Sequence, residues 1–377
     1  MNTKKHIILV AGETSGDMHG AHLVEALKKL NPQISFSGLG GPHLQTAGVQ
    51  LYADLTKVAV VGFVEVLKHF GTFKKNFYLI LKKVKETKAA GVILIDYPGF
   101  NLRLAPELKK LNTKVIYYIS PQVWAWKENR VEIIRRYVDK MLVLFPFEKE
   151  FYARHNIPVD FVGHPLVDTL KINVPRERLL MEHGLSAEKL TIGLLPGSRP
   201  KEVERHLPIM LDAANLLLRE FPQIQFLLLK APSIEINRIK QYLSAHLPFK
   251  VIEHEIYAGI NASDVCIVCS GTATMETGLL KKPMVVVYKT SLPSFLLAKL
   301  FIKIPYIAMV NVIAGRRIVP ECIQFEATPQ RIAAEIKRMI TNEPKIAEIK
   351  FELTKIRESL GESGASLRAA QKILEII

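Results

Sequence analysis

Short apolar runs alternate with amphipathic stretches along almost the whole chain, and no other feature narrows the fold as far. Between His6 and Pro165, HIILVA, SFSGLGG, GVILIDYP, KVIYYIS, KMLVLFPF and VDFVGHP read as strands. These runs are continuously apolar rather than alternating, as expected where helices cover both faces of a sheet. LRLAPELKKL and EFYARHN, lying between them, carry helical spacing. That is the pattern of a doubly wound parallel α/β domain. DTLKINVPRERLLMEHGLS then lacks strand character, after which the pattern restarts with LTIGLLPGSR, QFLLLKAP, FKVIEH, DVCIVCSG and MVVVYK. The expected fold is therefore α/β with two doubly wound, Rossmann-like domains, residues 1–168 and 169–351. A closing helix over about 352–377 is expected to pack back on the first. A chain of 377 residues is long enough for two such cores. Side by side they would face each other across a cleft lined by the carboxyl ends of strands, where open sheets bind ligands.

The turns after these strands carry the chemistry. LVAGETSGDMHG is a strand, a glycine-rich turn and a helix start, an arrangement that often holds phosphate. Its acids, Glu13 and Asp17, suit a hydroxyl-bearing substrate better, so this turn, with Ser15, is assigned to an acceptor side. ILIDYPGFN puts Asp96 just past an apolar run, where a carboxylate can act as general base or cap a turn. In the second half, LLPGSRPKEVERHL offers the amides of Gly197 and Ser198 and the guanidinium of Arg199 to a phosphate. CSGTATMETGLL offers Ser270, Gly271 and Thr272 at a helix start, and Glu276 one turn on for ribose hydroxyls. Each turn alone is equally a tight connection; together they point to a nucleotide site. No Gly-x-x-x-x-Gly-Lys-Ser/Thr loop and no Asp-x-Asp pair occurs. No metal and no cofactor is therefore expected, and arginine and helix dipoles would neutralise a diphosphate. Trp124 and Trp126 in SPQVWAWKENR would share one strand face, as core packing or as a wall of the acceptor pocket. His164 in FVGHPL reads as a hinge, a cap or a ligand contact.

Lysine and arginine outnumber aspartate and glutamate by 51 to 36, a net charge of +15 that favours anionic partners. No basic tract with regularly placed stacking aromatics occurs, which argues against nucleic acid. Residues 58–85 mix bulky apolar side chains with Lys68, Lys74, Lys75, Lys82, Lys83 and Lys85, and SFLLAKLFIKIPY carries Lys299 and Lys303. Such segments are core-facing helices with solvated lysines, or edges that enter an anionic lipid surface. The first apolar run is about five residues, short of the ~7–15 of a secretory core. No stretch reaches the ~18 of a membrane span, so a cytoplasmic, peripheral protein is expected. Cys266, Cys269 and Cys322 are too few for a disulfide framework. Cys266 and Cys269 would point to opposite faces of one strand and could not easily share a metal.

VAGETSGDMHG, GLGGP, VVGFVEVL, IDYPGFN, SPQVWAW, PFEKEFY, VGHPL, LLPGSR, SGTATMETGL and MVNVIAGRRIVPECIQ run in this order from residue 10 to about 324. Together they resemble the lipid-A-disaccharide synthases. The resemblance implies a GT-B fold and an inverting, metal-independent hexosyltransferase. It would join UDP-2,3-diacylglucosamine to 2,3-diacylglucosamine 1-phosphate (lipid X) at the cytoplasmic face of a Gram-negative inner membrane. It implies Asp96 as catalytic carboxylate, Arg199 as essential arginine and Glu13 as the acidic loop residue. Ser270, Gly271, Thr272 and Glu276 match the nucleotide-side helix, with Asn311, Glu321 and Gln324 in the donor pocket; Asn101 and Trp124 fall on the acceptor side. Many members carry a second acid, IDxPDFN, where this chain has Gly99. Beside this stand another GT-B transferase using a UDP-GlcNAc derivative, a non-catalytic nucleotide-gated membrane protein, and an oligomeric state that includes a homodimer.

Overall fold

A computed structural model describes residues 5–56, 70–243, 249–302 and 304–377. Lys68, Lys303 and the part of the 58–85 segment up to residue 69 lie outside them. The chain forms two compact units, Met1–Asp168 with Leu360–Ile377, and Thr169–Ser359.

Among the described residues, unit 1 holds a seven-stranded parallel sheet in the order β3-β2-β1-β4-β5-β6-β7. Its strands are β1 (His6–Ala11), β2 (Ser35–Gly40), β3 (Gln50–Asp54), β4 (Gly91–Ile95), β5 (Lys114–Tyr118), β6 (Lys140–Val143) and β7 (Asp160–Phe161). β3 has an intermediate burial pattern and was not among the expected strands. Side chains alternate across β1: Ile8 and Val10 enter one core layer, Ile7, Leu9 and Ala11 the other. Apolar packing on both faces is why the strands read as unbroken apolar runs. The helix Phe70–Thr87 sets Phe73, Phe77, Ile80 and Val84 into the first layer. Lys82 and Lys83 pair outward with Glu86. Over 70–87, therefore, the segment is a helix with a core-facing side and solvated lysines opposite it.

Among the described residues, unit 2 has a six-stranded parallel sheet in the order β10-β9-β8-β11-β12-β13. It comprises β8 (Thr191–Leu195), β9 (Gln225–Leu229), β10 (Phe249–Ile252), β11 (Val265–Cys269), β12 (Met284–Tyr288) and β13 (Glu321–Ile323). A two-pronged Arg176–Asp264 ion pair, 3.0 Å at each prong, ties the entry into the unit to the start of β11. The segment read as one closing helix over 352–377 is two helices. Glu343–Ser359 belongs to unit 2, Ala365–Leu374 to unit 1, and the break falls at Gly361 and Gly364, both at positive φ. Asp168 receives the amides of Gly364 (2.6 Å) and Ala365 (3.1 Å), capping the last helix. Ala369, Ala370 and Ile373 of that helix join the second core layer of unit 1. Cys266, Cys269 and Cys322 are free and buried.

Asp17, expected on the acceptor side, is instead an interior anchor. Its fully buried carboxylate accepts the amides of Gly41 (2.7 Å), His43 (2.9 Å) and Leu44 (3.2 Å), capping the helix Pro42–Thr46. Its oxygens are engaged there and do not face a substrate. Asp17→Ala leaves three amides without their acceptor, so a loss of about 3 kcal/mol is expected, with Asp17→Asn milder. Denaturant unfolding of both variants checks this; an Ala variant as stable as wild type would show that water replaces the cap.

Candidate active site

In unit 1 the chain runs outward from β1 through β2 to β3, then returns to place β4 on the other side of β1. At such a reversal the connections leave the strand ends in opposite directions and open a crevice. Ala11 pairs with Ile95 at the ends of β1 and β4, so Glu13 and Asp96 follow almost side by side.

The turn after β4 is strained. Asp96 (φ +43°) and Tyr97 (φ +48°) are consecutive side-chain-bearing residues in the left-handed region, at a cost of about 1–3 kcal/mol each. The surroundings over-determine it. The Asp96 amide donates to Tyr118 O (3.2 Å), and the Asp96 carbonyl accepts from the Tyr117 hydroxyl (2.6 Å) and Asn101 Nδ2 (2.8 Å). A Cβ on Gly12 would lie 2.2 Å from the Tyr97 ring, so only glycine lets that ring cover the first turn. Asn101 is therefore a positioning residue, fully buried beneath the turn it holds.

Burial, then the neighbouring Glu13 charge, pushes the Asp96 carboxyl up to about 7, against the Tyr97 amide, which favours the charged form. Glu13 is half-buried at the start of the helix Thr14–Leu30, and its side chain makes no cap bond there. Ser15 is half-buried in the same first turn. Gly99 is exposed, and a Cβ there would meet nothing within 4 Å. The missing second acid is thus not imposed by crowding.

The two tryptophans do not share a strand face, because residues 121–126 form turns. Trp124 is half-buried, its indole donating to Glu148 (3.2 Å) and meeting Phe147 edge-on. Trp126 is 36% exposed. His164 is a structural residue: it accepts the Leu166 amide and packs edge-on against His19. Burial lowers these two imidazoles to about 3 and about 4, so both stay neutral.

Unit 2 reverses in the same way between β8 and β11. After β8, Gly197 adopts φ +123°, and a Cβ there would strike Glu202. The Ser198 amide, expected to hold phosphate, instead donates to Glu202 Oε2 at 3.0 Å, and the Arg199 amide donates to the same oxygen at 3.2 Å. Arg199 is exposed and donates to Glu202 Oε1 at 2.8 Å. Glu202 thus caps the start of the helix Pro200–Glu220 from within its first turn. After β11, Gly271 (φ +152°) starts the helix Thr272–Leu279, and among the described residues no side chain caps its first turn. Ser270 leans on Ile307 O at 3.3 Å, Thr272 is exposed, and Glu276 is half-buried. Burial raises the Glu276 carboxyl, opposed by the hydrogen bond from the Tyr257 hydroxyl (3.1 Å).

Asn311, Glu321 and Gln324 build this side rather than line it. Glu321 accepts the amides of Ile307 and Ala308 and Asn311 Nδ2, while Asn311 Oδ1 accepts the amides of Ile318 and Val319. Gln324 clasps both backbone polar groups of Thr290. Sequence reasoning missed Tyr97, Tyr257 and Glu202. Of these only Glu202 had a local signal, its spacing of three from Arg199; Tyr257 reaches Glu276 from another helix.

The sequence model of the family described as lipid-A-disaccharide synthetase matches residues 7–377. The lipid-A-disaccharide synthase of Geobacter metallireducens is 42% identical over 374 residues, covering 99% of this chain and 97% of that one. That of Syntrophus aciditrophicus is 43% identical over 379 residues, covering 100% and 99%. Among solved structures, the glycotransferase of kitacinnamycin superposes with a TM-score of 0.68 at 14% identity, covering 100% of both chains. Acinetobacter baumannii MurG gives 0.59 at 14%, covering 98% and 99%. Those structures support the two-domain α/β glycosyltransferase fold, and the sequence matches go further: the chain belongs to the lipid-A-disaccharide synthase family, the glycosyltransferases of lipid A biosynthesis.

Proposed function

We propose that the chain transfers 2,3-diacylglucosamine from its UDP conjugate to the 6-hydroxyl of 2,3-diacylglucosamine 1-phosphate (lipid X), with inversion. The products are UDP and the tetraacyl β-1,6 disaccharide 1-phosphate. The observation that carries this reading is the Asp96 carboxyl, raised to about 7 on a rigid turn beside Glu13. A base of that strength is matched to neutral pH. Asp96 takes the proton of the acceptor hydroxyl as its oxygen bonds to the donor's anomeric carbon. The bond from that carbon to the diphosphate breaks, and its electron pair leaves on UDP. Arg199 and the uncapped helix start at Thr272 stabilise the growing negative charge. Glu276, backed by Tyr257, accepts from the ribose hydroxyls.

The substrates carry acyl chains, so the enzyme works on the cytoplasmic face of an inner membrane as a peripheral protein. Among the described residues no helix is long and apolar enough to cross a membrane. The helix Leu292–Phe301 exposes Leu292, Leu296, Leu297, Leu300 and Phe301, together with Lys299, a composition suited to an anionic lipid surface.

Asp96→Asn keeps the shape and removes the base. We expect kcat to fall about 10²–10⁴-fold with UDP affinity unchanged, measured by mass spectrometry of the disaccharide and by UDP titration. Normal turnover would remove Asp96 from the mechanism. Below about pH 7 this carboxyl is protonated and cannot accept a proton, so kcat/KM rises with pH through about 7 and then levels. Glu13→Gln deletes the like charge and moves that midpoint down, burial keeping it above 3.8; an unmoved midpoint would separate the two acids. Leu296→Ser with Leu300→Ser is expected to weaken sedimentation with phosphatidylglycerol vesicles at least tenfold, on the order of the burial energy of two leucines. Unchanged binding would move the lipid contact elsewhere.

A further inference from the structure

Unit 1 gathers three cations that the mechanism above does not use. Arg103 projects from the helix Pro98–Lys110, whose first turn follows Asp96, and Lys127 and Arg130 flank the exposed Trp126. Lys127 Nζ lies 4.6 Å and the Arg130 guanidinium 5.3 Å from the centroid of the Trp126 ring. Lys127 itself holds φ +56°, in the left-handed region. Among the described residues no carboxylate pairs with any of the three. The acids nearby are engaged elsewhere: Glu132 with Arg135 and Arg136, Glu107 with Lys110, Glu128 with His155. The three cations feel one another. Partial dehydration, then Arg130 and Arg103, lowers the Lys127 ammonium, and Arg103 adds to the burial that lowers Arg130. Like charges gathered without a counter-charge, on an aromatic platform, await an anion.

The cluster connects to the base. The buried Tyr117 donates its hydroxyl to the Asp96 carbonyl at 2.6 Å and senses the charges of both Asp96 and Arg130. One tyrosine is therefore bonded to the general base's backbone and feels the charge of Arg130, and a hexose bears its 1-phosphate and the arm of its 6-hydroxyl on the two carbons that flank the ring oxygen, so one sugar can present both groups.

We infer that Lys127 and Arg130, seated on Trp126, together with Arg103 over the Phe73 ring, hold the phosphate monoester of the acceptor glycolipid and thereby aim its hydroxyl at Asp96. This rests on the acceptor proposed above. The two arginines supply forked donors to the phosphate oxygens and Lys127 a point charge.

The test uses the full chain in neutral detergent without phospholipid, with acceptors that carry or lack the phosphate. Arg103→Gln and Arg130→Gln should each raise KM for the phosphorylated acceptor at least tenfold, the loss falling on KM rather than kcat. The preference for phosphorylated over dephosphorylated acceptor should collapse. Arg103, being exposed, gives the variant that keeps the fold. An unchanged acceptor KM, or equal losses on both acceptors, would overturn the inference. So would an unchanged acceptor KM with weakened binding to phosphatidylglycerol vesicles, which would make the cluster a headgroup site. Wild type inactive on either acceptor would instead sink the proposed reaction. Calorimetric titration with the phosphorylated glycolipid then decides the cluster alone: binding lost in Arg103→Gln supports it, and binding retained overturns it.

Discussion

Parallel strands force the chain to cross the sheet after every strand, and each unit begins its sheet in the middle. The chain winds outward, returns, and winds outward the other way, so one pair of neighbouring strands in each sheet sends its connections apart. Those pairs are β1 with β4 and β8 with β11. Everything assigned to chemistry follows from that reversal. Glu13 and Asp96 sit beyond one pair; Arg199 and the helix start at Thr272 sit beyond the other. Backbone groups at strand ends are not consumed by the ladder, and crossing helices present their amino termini there. The topology makes room and polarity in one place, and the side chains decide what the place does.

In unit 1 that decision is made by strain and burial together. A carboxylate on a relaxed, solvated turn would ionise near 4 and be a poor base. At Asp96 two left-handed residues turn the chain tightly enough to hold the carboxyl half-buried and beside Glu13. Such a turn persists only if its alternatives are worse. Tyr117, Asn101 and Tyr118 grip its backbone, and the Tyr97 ring lies on the bare Cα of Gly12. Gly12 of the first turn thus serves the second turn's geometry. That explains how a glycine-rich loop carries acids.

The strands were readable because burial on both faces leaves an unbroken apolar run; β3, only partly buried, left no such trace. Asp96 and Arg199 were readable as polar residues following such runs. What sequence could not tell was which polar groups the fold itself consumes. Asp17 looks like a site acid and is a helix cap; Asn311, Glu321 and Gln324 satisfy loop backbone; Glu202 takes the amides that seemed free for phosphate. All of these bonds but the Glu202 pair cross gaps in sequence that only tertiary folding closes. Trp124 and Trp126 failed differently. Alternation was assumed where the backbone turns, and turns carry no period.

The Glu202 contact bears on how the nucleotide side would work. Its carboxylate holds the Ser198 and Arg199 amides and one guanidinium nitrogen at once. An anion arriving at this turn therefore competes with an internal anion. Diphosphate carries more charge than one carboxylate, and among the described residues no side chain occupies the first-turn amides at the Thr272 helix start. The physical expectation is an unequal division of labour. On the proposed reading the helix start at Thr272 would hold the diphosphate in the ground state, and Arg199 would be drawn from Glu202 only as charge on the leaving group grows. An interaction that strengthens along the reaction lowers the barrier, whereas one already complete in the ground state does not. A guanidinium parked on a neighbouring carboxylate is suited to that task, because its neutral resting state leaves the site without excess charge until the bond to the sugar begins to break.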